Sequence, residues 1–469
     1  MSEAPARAAP ETIGAHPRDR LPRVLTLWDA SMLIVASVIG AGIFFTPARV
    51  ATLLPDASWI LLAWLVGALL SLMGALANAE LGAMFARAGG NYVYLREGLH
   101  PAAGFLTGWI SFFAIYAGTI AALAVVLGDS LAGALGWGPK AGVPLAAAVI
   151  FACSALNARA VRWGAQANNL TSLAKLLALA AFVILGPMLG EGSFAGWLAE
   201  SGGSGAGGAE GREGSLALRF GRALSPVLFS YLGWNASVYV ASEIRDPGRN
   251  VPRSLFLGLG LCALLYLLVN LVFLYALAPA ELRAASDTGE AAARALFGPV
   301  GGRWVGAFVL VSVLGTLNAT VLVGPRIVYA MALDGHFFRG VDRVHIGYRT
   351  PIVAIWVQGA VAVGLVLFLR TFPKALDFTV FAIVLSTSAD ILALFALRYR
   401  RPELVRPYRA WGYPFVPALY LIVNLAVGVA LVVGSPRETL TTGGLLAAGL
   451  LLYFPFARWA ARRPPMAPD

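Results

Sequence analysis

The 469-residue chain is 59% hydrophobic and only 13% charged, whereas soluble domains run at about 45–50% apolar and about 25% charged. A core of this size cannot hold so much apolar side chain, which excludes a soluble globular protein and leaves the surplus to face lipid. The formal charge of +11 resembles a nucleic-acid signature until the charges are placed: most basic residues fall in alternate loops, beside anionic headgroups, and no nucleic acid is needed to explain them.

Residues 1–25 form a polar tail carrying Arg7, Arg18, Arg20 and Arg23. It has no apolar core of a cleavable signal, so the first span itself directs insertion. Twelve apolar stretches follow, near 26–49, 57–84, 101–129, 142–158, 167–189, 220–243, 254–278, 304–332, 351–369, 377–397, 415–434 and 440–457. A membrane helix needs roughly 20 such residues. Basic clusters recur after every second span, from Arg87 and Arg96 through Arg245, Arg249 and Arg253 to Arg398, Arg400, Arg401, Arg406 and Arg409. Arg458, Arg462 and Arg463 close the series. The positive-inside rule then puts both termini in the cytoplasm of a cell carrying the protein in its inner membrane. Gly- and Ser-rich residues 201–211 read as a flexible tether between spans five and six. Cys153 and Cys262 lie within spans and have neither disulfide nor metal spacing. His16, His100, His336 and His345 are scattered, with no HExxH pattern, so no enzyme, metal or cofactor is expected.

Spans one and six differ from the rest. Gly40-Ala41-Gly42 falls mid-way in the first, and Gly233 sits among polar and aromatic residues in the sixth. Closely spaced glycines let a backbone leave helical geometry. Interruptions five spans apart point to an inverted-repeat transporter with its site at the midplane. The amides of Ala41 and Gly42, at the start of the outer half-helix, suit a carboxylate. Freed carbonyls of Val38, Ile39 and Phe229 suit an ammonium group. Together they grip what all α-amino acids share. The competing explanation of Gly40 and Gly42 is close helix packing through small residues.

At these residues the chain resembles the amino acid–polyamine–organocation superfamily, within it the L-type amino acid transporter branch and its bacterial relatives. The resemblance rests on VIGAGIF (38–44), AELGAMFARAGGNYVYL (79–95), VRWGAQANNLTSLAKLLAL (161–179), FSYLGWNASVYVASEIRDPGRNVPRS (229–254), LNATVLVGPRIVYAMALDGHFF (317–338) and RYRRPELVRPYRAWGYP (398–414), in the family's order. It implies an all-α membrane protein of twelve helices, an inverted five-plus-five repeat of the leucine-transporter type with helices 1 and 6 broken. The ten-helix core would occupy 26–397, helices 11 and 12 would occupy 398–457, and a second tail 458–469. By motif the substrate-contacting positions fall on Val38, Ile39, Ala41, Gly42, Phe229, Leu232 and Asn235, with Phe229 as an outer gate. Ala41 departs from the serine of many relatives, and Leu232 from a small or acidic residue. Animal relatives join a glycoprotein heavy chain through a cysteine between spans three and four; here GDSLAGALGWGPKAG has none, so no disulfide-linked partner is expected.

Four further charges lie within spans. The resemblance puts Lys175 where sodium-coupled cousins hold their ion, so it would replace sodium and serve in coupling. The alternative is a structural lysine bonded to carbonyls of the first break. Asp390 reads either as a proton handler or as a carboxyl bonded to Ser386 or Thr387. Glu80 and Arg326 are expected to pair across the bundle. Sodium-independent transport of small neutral amino acids, by proton symport or exchange, is the leading expectation. A polyamine or cationic amino acid permease and a non-transporting sensor on the same scaffold are the alternatives.

Overall fold

The first apolar stretch starts where a capping box closes its N-terminus. Thr26 Oγ1 accepts from the Asp29 amide at 3.3 Å, and the Asp29 carboxylate accepts from the Thr26 amide at 2.8 Å. These bonds satisfy donors that every helix start leaves open. In the computed structural model, which describes residues 19, 21–159, 161–202, 215–369 and 371–461, the stretch becomes three pieces: α1 (Leu27–Val38), α2 (Ala41–Phe45) and α3 (Pro47–Leu53). Asp56 caps α4 (Ala57–Met84) by accepting from the Ser58 and Trp59 amides. The short α5 (Asn91–Gly98) leads to α6 (Pro101–Ile110), which runs through a π-helical segment, Ser111–Tyr116, into α7 (Ala117–Leu135). Then come α8 (Gly142–Arg159), α9 (Val161–Leu189) and the short α10 (Ala195–Gly202). The sixth stretch is divided into α11 (Leu216–Ser230) and α12 (Ala236–Tyr239), followed by α13 (Pro247–Ala276) and α14 (Pro279–Ala284). The remainder comprises α15 (Thr288–Val323), α16 (Pro325–Leu333), α17 (Ile352–Leu369), α18 (Phe372–Arg400), α19 (Phe415–Gly434) and α20 (Pro436–Ala461).

Among the described residues, 11 helical segments are long and apolar enough to cross a membrane. The α11–α12 segment is the interrupted sixth crossing and completes the twelve-helix, leucine-transporter-type arrangement. Two starts come earlier than the apolar runs imply. Pro247 opens α13 at a position where its missing amide costs nothing, and Asp287 caps α15 by accepting from the Glu290 amide at 2.9 Å. The early part of α15 then kinks at Gly298, whose φ is 75°, just before Pro299. The tether beyond residue 202, the tail to residue 18 with Arg7, His16 and Arg18, Arg20, and residues 462–469 with Arg462 and Arg463 lie outside the described residues.

The buried ion pairs correct one expectation. Glu80 does not meet Arg326. It pairs with Arg398 at the end of α18 (Nε–Oε1, 2.9 Å) and with Arg406 (3.3 Å), and it accepts from the Ala410 amide at 2.7 Å. Arg326, at the start of α16, pairs instead with Glu243 at 3.0 Å, with both side chains fully enclosed. Glu243 belongs to the segment that follows α12, and that segment is tied to the chain entering α1. The Leu25 amide donates to the Glu243 carbonyl at 2.9 Å, and the Arg245 amide donates to the Leu25 carbonyl at 2.8 Å. Tyr329 on α16 donates to Asp19 at 3.1 Å, whose carboxyl burial pushes above the usual carboxylate range. One end of the bundle is thereby closed by three strands of contact: the N-terminal segment, the exit from α12, and α16.

Removing one member of a buried ion pair strands the other, at about 3–5 kcal/mol. Glu243→Gln is therefore expected to lower the thermal unfolding midpoint of the detergent-purified protein. Adding Arg326→Met to the same chain is expected to recover part of the loss.

Candidate functional site

Two residues interrupt the first crossing. Ile39 (φ −75°, ψ 94°) and Gly40 (φ −146°, ψ −144°) leave helical geometry between α1 and α2. The second interruption is longer, a turn over residues 231–235 between α11 and α12. Gly233 makes that turn with φ +97°, and a Cβ there would stand 2.5 Å from the Ser37 Cβ. A left-handed backbone and close approach to the first crossing both demand glycine at this position.

The end of α1 leaves carbonyl oxygens without helical partners, and three neighbouring helices supply donors. Lys175 Nζ on α9 donates to the carbonyls of Ala36 (3.1 Å) and Ile39 (2.6 Å) and to Thr316 Oγ1 (2.9 Å). Thr316 on α15 is within 2.9 and 2.7 Å of the same two carbonyls. Tyr266 on α13 donates to the Val38 carbonyl at 2.6 Å. An ammonium has three donors and no acceptor, and here three acceptors meet it. This is the geometry of the structural reading of Lys175. It also corrects the expectation of free carbonyls: Val38 and Ile39 are already engaged by side chains, and the Phe229 carbonyl accepts from the Leu232 amide at 3.0 Å. An unwound segment deep in a bundle recruits protein donors first, because a carbonyl left bare there is costly.

Between the breaks lies a cavity of about 30 Å³. That is room for about one water, so an amino acid enters only when the walls part. Val38, Gly40, Ala41, Gly42, Phe229 and Leu232 line it. Ile39 and Asn235 do not: Ile39 is fully buried with its carbonyl on Lys175, and Asn235 is buried in hydrogen-bond contact with Tyr239. Sequence reasoning missed eight wall residues, among them Tyr116 at the end of the π-helical segment, Thr119 in the first turn of α7, and Thr316 and Thr320 on α15. The α15 pair had a signal, two threonines one helical turn apart in an apolar span. A π segment leaves no comparable mark. None of the described lining residues is charged.

Gly42 also serves packing. A Cβ there would stand 2.4 Å from Ser230 Cα, and the hydroxyls of Thr46 and Ser230 meet at 2.8 Å one turn further on. α2, which follows the first break, thus touches the end of α11, which precedes the second, with only small side chains between them, the close approach that small residues allow. Asp390 is not bonded to Ser386 or Thr387 as expected. Its carboxyl accepts from Asn78 Nδ2 on α4 at 3.2 Å, Ser386 accepts from Asn91 at 3.0 Å, and Thr387 donates to the Ile383 carbonyl at 2.8 Å. The neighbours one turn back are committed elsewhere.

Residues 25–454 match the model of the amino acid permease family. The chain is 30% identical to the serine/threonine exchanger SteT of Bacillus subtilis over 93% of its own length and 96% of that protein. It is 28% identical to the human b(0,+)-type amino acid transporter 1, over 94% of this chain and 90% of the relative. With the human large neutral amino acids transporter small subunit 2 the figures are 27%, 96% and 84%. A match along nearly the whole chain makes it a member of the amino acid permease family in the L-type branch of its superfamily: a membrane transporter of amino acids, and not an enzyme.

Proposed function

We propose that the chain carries small neutral amino acids by alternating access, without sodium, and that it works as an exchanger. The observation that carries the reading is the small cavity, with no charge among its described lining residues, where the two helix breaks meet. The substrate carboxylate would sit at the first amides of α2, Ala41 and Gly42, where a helix start offers unpaired donors and partial positive charge. Its ammonium would use the lone pairs that Val38 and Phe229 retain, while Ile39, its carbonyl held by Lys175 and Thr316, would act only as part of the fixed break, and Asn235 would steady Tyr239 at the edge of the second break. Phe229 would cover the substrate from outside, and Leu232 would limit the depth of the pocket. Among the described residues no acid or base lines the cavity, and burying an unpaired charge is costly, which disfavours cationic and anionic side chains. An exchanger of serine and threonine among the relatives supports both the size class and the mode.

Lys175 would replace a coupling cation by holding the first break permanently. The transport core would span 26–397, with 398–457 as two accessory helices. The basic loops favour an inner-membrane location with both termini cytoplasmic. Both cysteines are buried, so transport would need no disulfide-linked partner.

In proteoliposomes loaded with serine, external labelled serine should accumulate by exchange, and replacing sodium with choline should leave the rate unchanged. Sodium-dependent uptake, or uptake indifferent to internal substrate, would overturn this reading. Gly42→Leu should insert normally yet weaken binding at least about tenfold, since its side chain enters the contact with Ser230 and overpacking costs about 1–3 kcal/mol. Retained affinity would remove the amide site. Leu232→Gly should shift competition toward larger side chains by about 10–200-fold per methylene accommodated. If the unmodified protein already prefers tryptophan or arginine to alanine, Leu232 is not the wall.

A further inference from the structure

A cavity of about 720 Å³ lies away from the helix breaks, where the foot of α13 meets the segment before α1 and the loop between α18 and α19. We propose that it binds an anionic phospholipid, with the phosphodiester headgroup held by Arg23, Arg249 and Arg253. All three line the cavity, and among the described residues no hydrogen bond or ion pair engages any of their guanidinium groups. Asp246 is the one acid among the described lining residues, which together carry an excess of positive charge. The volume lies in the ~300–1,000 Å³ range of small-molecule sites.

The apolar features show why the ligand is a lipid and not a free anion. Arg253 stands at the foot of a stripe on α13, with Leu257, Leu261 and Leu264 following at helical spacing. All three leucines are exposed. A cation beneath an exposed leucine track matches a headgroup beneath its acyl chain. Phe256 and Tyr408, whose rings lie 5.7 Å apart, wall the cavity beside Leu404 and Val405. Tyr399, Trp411 and Phe415, at the ends of the same loop, are also exposed, as aromatic residues at a membrane–water boundary are. The cavity therefore sits at headgroup depth. A soluble phosphate would satisfy the arginines and leave the apolar wall and the leucine track uncovered.

The site also reaches the closure described above. Arg23 precedes by two residues Leu25, which pairs with the segment after α12. A phosphate shared between Arg23 and the arginines of α13 would fasten that N-terminal segment to the foot of α13.

The test is retention of lipid by the full chain, purified from a detergent mixture of equal phosphatidylglycerol and phosphatidylcholine and read by native mass spectrometry. Phosphatidylglycerol should be retained preferentially. Arg249→Ala/Arg253→Ala should reduce its retention at least about tenfold, in line with ~1 kcal/mol for each basic residue near an anionic surface. Arg249→Lys/Arg253→Lys should keep most of it. Arg23→Ala, a smaller change in a separate segment, should lose severalfold and serves if the double variant fails to purify as a folded protein. Equal retention of the two lipids, undiminished retention in the alanine variants, or displacement of phosphatidylglycerol by an equal concentration of glycerol phosphate would overturn the proposal. The lipid would lie in the cytoplasmic leaflet, a placement that rests on the proposed cytoplasmic orientation of this end of the bundle. Retention in detergent requires no transport, so its failure is distinguishable from failure of the exchanger reading.

Discussion

The carbonyl oxygens at the end of α1 are the constraint on which the rest of the structure depends. A helix that stops inside a bilayer exposes acceptors that no water reaches, and only other parts of the protein can satisfy them. Here α9 supplies Lys175, α15 supplies Thr316 and α13 supplies Tyr266. Three helices distant in sequence are thereby committed to one point on the first crossing. The second break needs less assistance because it folds as a turn, with Gly233 adopting the left-handed conformation and the Phe229 carbonyl bonded locally. One break is held from outside and the other closes on itself.

This difference bears on how the molecule rearranges. The cavity between the breaks is closed on one side by the contact of α2 with α11 through Gly42 and Ser230. On the other it is closed by the layer in which Glu243, Arg326, Leu25, Asp19 and Tyr329 interlock. The first closure is made of small side chains and hydroxyls, whose separation exposes little charge. The second contains an enclosed ion pair, and opening there hydrates both charges at once. Packed interfaces of this kind switch between discrete arrangements and do not deform continuously.

Much of this was legible in the sequence, and the reason is local. Gly40 and Gly233 mark positions where the backbone leaves helical geometry, Gly42 one where two helices meet without room for a side chain, and the apolar stretches set the crossings by length alone. Lys175 stood out because an isolated cation in a span is costly. Partner choice was not legible. Glu80 and Arg326 lie in similar thirds of their helices, yet each turns to a different neighbour because helix rotation and the loop after α18 place Arg398, Arg406 and Glu243 nearer. Asp390 failed in the same way, its acceptor directed to Asn78 on another helix. The extra turns of α13 and α15 were missed because helices continue past the apolar boundary wherever a proline or a capping aspartate lets them start.

The lysine at the first break has an electrical consequence. A charge crossing the whole membrane exchanges about 2.3 kcal/mol per 100 mV with the potential. Lys175 is bonded at once to α1 and α15, so its charge shifts only as far as those helices shift together. A displacement through a tenth of the field is then worth roughly 0.2 kcal/mol per 100 mV, below thermal energy. A zwitterion adds no net charge of its own. Under the proposed exchange of zwitterions, a carrier built in this way would turn over at nearly the same rate in energised and depolarised cells, and substrate gradients, not voltage, would set its direction.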